Sequence, residues 1–544
     1  MATAKLILKN GNLLTMSEPE HASAIAVDEG GRILAVGSDS EVLNIAAPDT
    51  LIYDLNGRTL IPGFFDCHVH ILWLGMNLGH VDIAPPKGKT KEDILRLLIA
   101  RREEQPSLTC IQGSGYDQNV LPGARHLTRY DLDEVSTHLP VRINHASGHA
   151  AVVNSKALEM LEFTRDTPNP DGGEIVRDEN GEPTGVLLET ASWSLLERIL
   201  PETTPHEAVE ALGRASRYLL ERGITSASDA NTPPNAIEWY EEAVATNALQ
   251  VRVNSMVGWA EVLKQIGESG IPRPRDLQPN RYGLDGHRYH VGQAKLFADG
   301  AITTRTCWLN APFSDSTNNY GIPLHDPYEL LAYIIKAHNA GWQIATHAIG
   351  DRAVDVVLSS YAEAQRQNSR TLPAHRIEHC MLLDTNLITR LRRQNVWSIG
   401  QPEFIARLGD AYELALGEER ANRLSPYATL EKANVAQAFS SDNPVVPGAP
   451  LAGIYAAMQR ETPSGRVLNA KERVSAEVGL YAYTTAPAYA TRTYQDRGAL
   501  EMGKLADFTL LSADPTTTPA SEWERVQVVA TFVNGECLYG VERL

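Results

Sequence analysis

The sequence predicts an α/β protein, a (β/α)8 barrel of the TIM type with two additions. The additions are a small β-sandwich domain made from both ends of the chain and a long insertion after the first barrel strand. Two observations lead to this prediction. Between residues 61 and 489, short apolar runs alternate with helical patterns, as expected of a parallel barrel. The chain ends instead carry short strands in which polar and apolar residues alternate.

The terminal strands predict one composite domain. Residues 5–16 and 22–37 alternate around Asn10-Gly11 and Gly30-Gly31, which is the pattern of a β-hairpin or meander. Residues 507–511 and 526–539 have the same character, with Asn534-Gly535 as a tight turn. Neither end holds enough apolar residues for a core of its own. We therefore expect residues 1–60 and 490–544 to pair into one β-domain.

Eight apolar runs are candidates for the barrel strands. Helical patterns separate them, for example at 205–222, 327–340 and 351–366, where Pro or Asp starts and Gly stops agree with capping rules. The candidate strands are residues 64–70, 224–229, 249–257, 291–298, 342–347, 375–380, 396–400 and 435–441.

The stretch between the first two candidate strands, about residues 75–222, is far longer than one crossover helix requires. It holds a helical pattern near Lys91–Glu104, a Gly-rich run at 112–117, an apolar run at 140–158 and a hairpin-like piece at 171–189. Insertions that follow a barrel strand lie on the catalytic face. We expect this insertion to form a lid or a wall for the substrate.

Composition excludes several classes of partner. The chain has 544 residues and a formal net charge of −18, which opposes binding to nucleic acid. Five cysteines are too few and too scattered for a disulfide framework, and no apolar run approaches the ~18 residues that cross a membrane. The sequence therefore predicts a cytoplasmic protein with a small-molecule substrate, no nucleic-acid partner and no membrane partner. A homodimer is the default expectation for its assembly.

Metal-ligand residues stand where candidate strands stop. His68 and His70 close the first strand two positions apart, so both imidazoles point to one face. Single residues of this kind have ordinary explanations, such as a buried histidine, a helix cap, or an ion pair between Lys295 and Asp299. Their repetition at the carboxyl end of the barrel favours a metal site. The further candidates are His347, His379, Asp442 and Lys295.

These motifs resemble the amidohydrolase superfamily and, within it, amidohydrolase family 3, which includes enzymes similar to N-substituted formamide deformylase. The resemblance covers nearly the whole chain. It is carried by Pro-Gly-Phe-Phe-Asp-Cys-His-Val-His at 62–70, Asp-Gly-Gly-Glu-Ile-Val-Arg-Asp at 171–178, Lys-Leu-Phe-Ala-Asp-Gly at 295–300, His-Ala-Ile-Gly-Asp at 347–351, Arg-Ile-Glu-His at 376–379 and Ser-Asp at 441–442.

The resemblance implies a centre that binds one or two divalent metal ions, and zinc is the metal that we expect there. His68, His70 and Asp442 would hold one ion, and His347 and His379 the second. Lys295 would bridge them after reacting with carbon dioxide to form an N6-carboxylated lysine, since an ammonium group repels a cation. Asp442 would act as general base and then as general acid.

Residues beside the ligands are candidates for supporting roles. Asp66, Arg376 and Glu378 are expected to orient the imidazoles. The substrate wall is predicted from one histidine and three aromatic residues. These are Trp73, Tyr116, His149 and Trp308.

The predicted activity is metal-dependent hydrolysis of a non-peptide C–N bond, of amide or formamide type, in a small and partly apolar substrate. Two alternatives remain open at this point. The same site could hydrolyse an ester, a lactone or a cyclic amidine, because the attack chemistry is shared. A barrel that has lost catalysis would be a scaffold, but such a barrel is expected to lose ligands, and all six candidates are present.

Overall fold

A computed structural model of the chain describes residues 3–193, 202–266, 288–369 and 374–543. The predicted fold class is confirmed: an eight-stranded parallel barrel, a β-sandwich built from both chain ends, and a long insertion after the first barrel strand. The predicted limits of the β-domain near residues 60 and 490 stay a prediction. No helix in the described ranges is both long enough and apolar enough to cross a membrane.

The β-sandwich begins with the first strands of the chain. One sheet has the order β5-β4-β1-β6, and the second has the order β24-β23-β22-β7-β2-β3, so strands from both ends share it. Leu8, Ile25, Leu60, Phe508 and Phe532 pack between the sheets. The elements are β1 (Ala4–Lys9), β2 (Asn12–Leu14), β3 (His21–Ala22), β4 (Ala24–Val27), β5 (Ile33–Gly37), α1 (Asp39–Leu43), β6 (Ala46–Asp54), β7 (Thr59–Pro62), β22 (Phe508–Leu511), β23 (Val528–Val533) and β24 (Glu536–Tyr539).

The structure corrects one part of the strand prediction. Residues 5–16 do not form a hairpin at Asn10-Gly11, because β1 lies in one sheet and β2 in the other. Leu6 and Leu13 enter the same core from opposite sheets. Strands that face each other across a core show the same alternation of polar and apolar residues as strands that pair within one sheet, so the pattern does not distinguish the two arrangements. The turns at Gly30-Gly31 and Asn534-Gly535 do join paired antiparallel strands.

The barrel consists of eight parallel strands in sequence order. Backbone hydrogen bonds close it between its first and last strands: the Asp442 amide donates to the His68 carbonyl at 2.8 Å, and the His70 amide donates to the Asn443 carbonyl at 2.9 Å. The strands are β8 (Phe64–Val69), β15 (Ile224–Thr232), β16 (Arg252–Gly258), β17 (Tyr289–Phe297), β18 (Gln343–Ala348), β19 (Arg376–His379), β20 (Trp397–Gly400) and β21 (Gln437–Phe439).

Helices cover the outside of the barrel, and several begin with a side-chain cap. Thr204 and Glu207 form a capping box before α7, and Asp326 caps α10. The helices are α2 (Ile71–Asn77), α7 (Pro205–Leu220), α8 (Ile237–Ala245), α9 (Trp259–Ile266), α10 (Pro327–Asn339), α11 (Asp351–Gln367), α12 (Thr385–Gln394), α13 (Glu403–Leu416), α14 (Glu418–Ala421), α15 (Tyr427–Lys432), α16 (Pro450–Gln459), α17 (Ala476–Tyr483) and α18 (Thr485–Ala490).

The insertion folds around a mixed six-stranded sheet of its own, in the order β13-β14-β12-β11-β10-β9. Its core includes Ile94, Leu98, Ile111, Val141 and Ile143. The elements are β9 (Val81–Asp82), α3 (Lys91–Glu104), β10 (Ile111–Tyr116), α4 (Arg129–Asp133), β11 (Val141–His145), β12 (Ala150–Val153), α5 (Ser155–Leu161), β13 (Gly173–Arg177), β14 (Pro183–Glu189) and α6 (Thr190–Trp193).

A buried ion pair joins the barrel to the sandwich. Arg252, at the start of β16, donates to Asp507, just before β22, through Nε at 2.6 Å and Nη2 at 3.0 Å. Both residues are buried. Burial alone raises the pKa of Asp507, but the Arg252 guanidinium outweighs it and the pKa is lowered. The carboxylate is therefore ionised in the folded protein at neutral pH.

Candidate metal centre

The strand ends bring three buried donor groups together. One ligand atom each from His68, His379 and Asp442 lies within 4.8 Å of the other two. Nε2 of His70 is 3.1 Å from Oδ1 of Asp442. The β-strand geometry explains this arrangement, because the carboxyl ends of parallel barrel strands meet at one face.

His68 is fixed from behind by a carboxylate. Its Nδ1 donates to Oε2 of Glu378. Glu378 in turn accepts from Arg376, at Oε1 from Nε at 2.5 Å and at Oε2 from Nη2 at 2.9 Å. Burial by itself raises the pKa of Glu378, but Arg376 and His68 outweigh it and lower the pKa. Since Nδ1 carries the proton, Nε2 of His68 presents a lone pair, and it faces Oδ1 of Asp442 at 3.3 Å. Arg376 and Glu378 thus occupy the orienting positions that the sequence suggests for them.

Asp66 has a different role from the expected one. It accepts the backbone amides of His68 at 3.3 Å and Ser441 at 3.0 Å, and the Ser441 hydroxyl, instead of an imidazole. Its carboxylate turns toward the end of the eighth strand, across the seam where the barrel closes. Burial raises the pKa of Asp66 to about 6. This residue positions the backbones of His68 and Asp442 rather than a ring.

His379 and His347 form the second half of the cluster. Their rings meet edge to face with centroids 4.3 Å apart. His347 lies outside the three converging donors, and its Nε2 donates to the Gly300 carbonyl at 3.2 Å. Burial lowers the pKa of His379 to about 3, and burial followed by the neighbouring His379 lowers that of His347. Both imidazoles are therefore neutral at physiological pH, which is the form that binds a metal ion.

The backbone is strained at two of the donors. His379 has φ 70° and Asp442 has φ 59°, in the left-handed region that side chains rarely adopt. Such residues persist only where the surrounding structure holds them, and they cluster at functional sites. The strain is an independent sign that this end of the barrel is built for a function.

Lys295 lies within the cluster, at the end of β17. Only 1% of the residue is exposed, and its Nζ makes no hydrogen bond to the part of the chain that the structure describes. Nζ lies 4.7 Å from the centre of the Phe297 ring, and burial lowers the pKa of the lysine to about 8. The alternative ion pair with Asp299 is not formed, because Asp299 accepts the amides of Trp308, Ile349 and Gly350 instead.

A pocket of about 410 Å³ opens beside the donors, between the barrel and the insertion. Of the predicted wall residues, His149 and Trp73 line it. The Trp73 ring packs against His70 with centroids 5.3 Å apart. Nδ1 of His149 lies 2.6 Å from Oε2 of Glu189, and this pair holds the imidazole over the ring of His347.

Two predicted wall residues lie elsewhere. Tyr116 is fully buried in the core of the insertion, where its hydroxyl bonds to Nδ1 of His126 at 2.8 Å. Trp308 is stacked under the Arg352 guanidinium, 4.9 Å away, and is not part of the pocket lining. An aromatic residue that is near a ligand in the sequence can point to either side of its strand or loop. Here Tyr116 points into packed protein, and Trp308 is half-buried.

Three residues of the site were not among the candidates from the sequence. Gln401 accepts the Nδ1 proton of His379 at 2.8 Å, and Glu189 holds His149. Asp229 lies near the end of the second barrel strand and accepts the Ile71 amide at 2.6 Å. The position of Asp229 at a strand end was a usable signal, whereas Gln401 and Glu189 follow no metal-site pattern.

A (β/α)8 barrel with imidazole and carboxylate donors at the carboxyl ends of its strands is the arrangement of a metal-dependent hydrolase. Comparison with known proteins agrees. The sequence profile of the amidohydrolase family matches residues 51–539. The chain therefore belongs to the amidohydrolase family.

Individual relatives are similar along their full length. A putative amidohydrolase of Bacillus subtilis, YtcJ, is 30% identical over 98% of this chain and 99% of its own. The N-substituted formamide deformylase of Arthrobacter pascens is 29% identical, and the alignment covers 98% of both chains. The crystal structure of an uncharacterized metal-dependent hydrolase from Pyrococcus horikoshii superimposes with a TM-score of 0.74 at 28% identity, over 95% of this chain and 99% of that one.

Proposed function

We propose that the protein hydrolyses a non-peptide C–N bond, of amide or formamide type, in a small and partly apolar substrate. The observation that carries the proposal is the convergence of His68, His379 and Asp442 within 4.8 Å of one another, beside a pocket that His70 lines. The relative from Arthrobacter pascens that is an N-substituted formamide deformylase supports the formamide class. In such a reaction a formamide and water give formate and an amine.

The donor set fits a divalent ion. Nε2 of His68 and Oδ1 of Asp442 are both hydrogen-bond acceptors, yet they face each other at 3.3 Å, and neither makes a hydrogen bond to the described residues. A cation shared between two such atoms removes their repulsion and the cost of burying them without partners. Neutral imidazoles and a carboxylate are ligands that zinc accepts, so we propose zinc as the ion.

We assign the residues as follows. His68, His70 and Asp442 would hold one ion, and His347 and His379 would hold a second, with Lys295, once carboxylated, as a further ligand. The buried amine of Lys295, with its lowered pKa, supplies the neutral form that adds to carbon dioxide. A bound ion would act as a Lewis acid toward a carbonyl oxygen and lower the pKa of a water molecule.

The residues of the chain perform the proton transfers and the positioning. Asp442 accepts the proton of the attacking water and returns it to the leaving nitrogen. Glu378 and Gln401 fix the rings of His68 and His379. Leu72, Met76 and Phe297 provide the apolar part of the pocket wall.

Substrate profiling tests the proposal. Purified protein supplied with zinc is assayed against N-benzylformamide, aryl amides, aryl esters, lactones and cyclic ureas, with and without a chelator. We expect release of amine from the formamides or amides, and loss of that activity when the metal is removed. Turnover of esters or cyclic ureas alone would contradict the assignment to C–N bonds of the amide type. Activity that survives complete removal of metal would contradict the metal-dependent reaction.

A further inference from the structure

The insertion contributes one whole wall of the pocket. Residues in β10 and β11 alternate between two faces, as strand geometry requires. Ile111, Val141 and Ile143 point into the core of the insertion. The residues between them, Gln112, Arg142 and Asn144, line the pocket, and Gln112 pairs with Arg142 in the parallel register of the two strands. The insertion sheet is thus apolar on one face and presents a hydrogen-bonding surface to the substrate on the other.

Arg142 brings a positive charge to this wall. It lines the pocket itself, while Arg101 and Arg214 line the adjoining cavity together with Glu207 and Glu210. Burial, followed by the charges of these three arginines, lowers the pKa of His80 to about 4. Arg101 and Arg214 are thus matched by two carboxylates, whereas Arg142 faces the pocket from the insertion.

The amide side chains beside Arg142 are available to a ligand. Gln112 and Asn144 stand beside Arg142 in the lining of the pocket, and Asn144 is only 6% exposed. Each side-chain amide can donate two hydrogen bonds to a ligand in the pocket. A guanidinium flanked by two amide donors matches the in-plane oxygens of a carboxylate.

We propose that the substrate carries a carboxylate, and that Arg142 binds it together with Gln112 and Asn144 while the scissile C–N bond lies at the metal end of the same pocket. The inference deepens the proposed function and rests on it. His70, His149 and Asp229 line the metal end, and Leu72 and Phe297 line the pocket as well. The substrate class is therefore an N-acyl or N-formyl compound with an apolar body and an acidic group away from the bond that breaks.

Binding of a matched pair of probes tests this inference independently of turnover. 4-Phenylbutyrate and its neutral amide, 4-phenylbutyramide, differ only in the charged group, and calorimetry on the zinc-loaded protein gives both dissociation constants. We expect the acid to bind about 10- to 100-fold more tightly, since a hydrogen bond to a charged group has that effect. Arg142→Met should remove the preference, and Arg142→Lys should keep part of it. Gln112→Glu should weaken binding of the acid and spare the amide.

Arg96→Met is the matched control. It removes one positive charge from an exposed position of the insertion, where Arg96 pairs with Asp93 at 2.8 Å, and it should leave the preference unchanged. Equal affinity for the two probes, binding of neither, or a preference that persists in Arg142→Met would overturn the inference. A preference that disappears on chelation but persists in Arg142→Met would place the anion on the metal and also overturn it. Absence of amide or formamide turnover with an intact preference for the acid would instead count against the proposed reaction.

Discussion

Nδ1 of His379 lies 2.8 Å from Oε1 of Gln401, and the amide nitrogen of Gln401 lies 2.9 Å from the Ser440 hydroxyl. The second contact fixes the orientation of the Gln401 side chain. Its oxygen, which can only accept a hydrogen bond, therefore faces Nδ1 of His379. His379 must therefore carry its proton on Nδ1 and present the lone pair of Nε2 to the centre of the cluster.

Gln401→Ala should weaken metal binding without unfolding the barrel. Loss of the acceptor frees the His379 ring to rotate and to change tautomer, and removal of such a partner lowers metal affinity by about 10- to 100-fold. Competition with a chromogenic chelator measures the affinity. Gln437→Ala is the control, because Gln437 donates to the Tyr427 carbonyl near the opposite end of the barrel. Equal metal affinity in the two variants would show that Gln401 does not set the tautomer.

Asp442→Asn should retain most of the metal and lose turnover. The amide oxygen can still bind an ion but cannot accept a proton at neutral pH, so we expect kcat to fall by about 10²- to 10⁴-fold. The acid limb of the pH–rate profile should be altered or absent. Metal analysis on the assayed sample separates ligation from proton transfer. Full turnover by a metal-loaded variant would show that another group accepts the proton of the attacking water. His149 would then be the next residue to test.

Lys295→Ala should empty one metal position and lower activity steeply, because the carbamate that we propose for Lys295 could not form. A short carboxylic acid such as propionate, added in excess, should restore part of the metal content and part of the activity. Lys87→Ala, in an exposed ion pair with Asp82, is the matched control. Experimental electron density with a free amine pointing away from the metal ions would exclude the bridging role.

Asp507→Asn should destabilise the protein by about 3–5 kcal/mol at neutral pH, because it leaves the buried Arg252 without its counter-charge. The pKa of Asp507 is lowered in the folded state, so its contribution is complete above the unfolded value of about 3.9 and is lost as the pH falls through the folded value. The difference from wild type should therefore shrink in strong acid. Urea unfolding at several pH values measures it, and a constant difference would contradict the charge pairing.

The sequence predicts the barrel well, because eight strands of a parallel barrel are fully buried and read as apolar runs. It also predicts which candidate ligands lie at the catalytic end of the barrel, because the carboxyl ends of all eight parallel strands are at that end. Side-chain direction in loops and the partners of buried groups depend on packing between distant segments. The sequence did not give the side-chain directions or the hydrogen-bond partners of Trp308, Tyr116, Asp66 and Gln401.

The seam of the barrel also has a consequence for synthesis of the protein. Asp66 and Ser441, which bond across it, are 375 residues apart in the chain. At about 5–20 residues per second, roughly 20 to 75 seconds pass on the ribosome between the emergence of the two. During that interval the nascent chain displays the His68 and His70 pair without Asp442 and without a closed barrel. The ligand set proposed above is therefore complete only after the last barrel strand has docked.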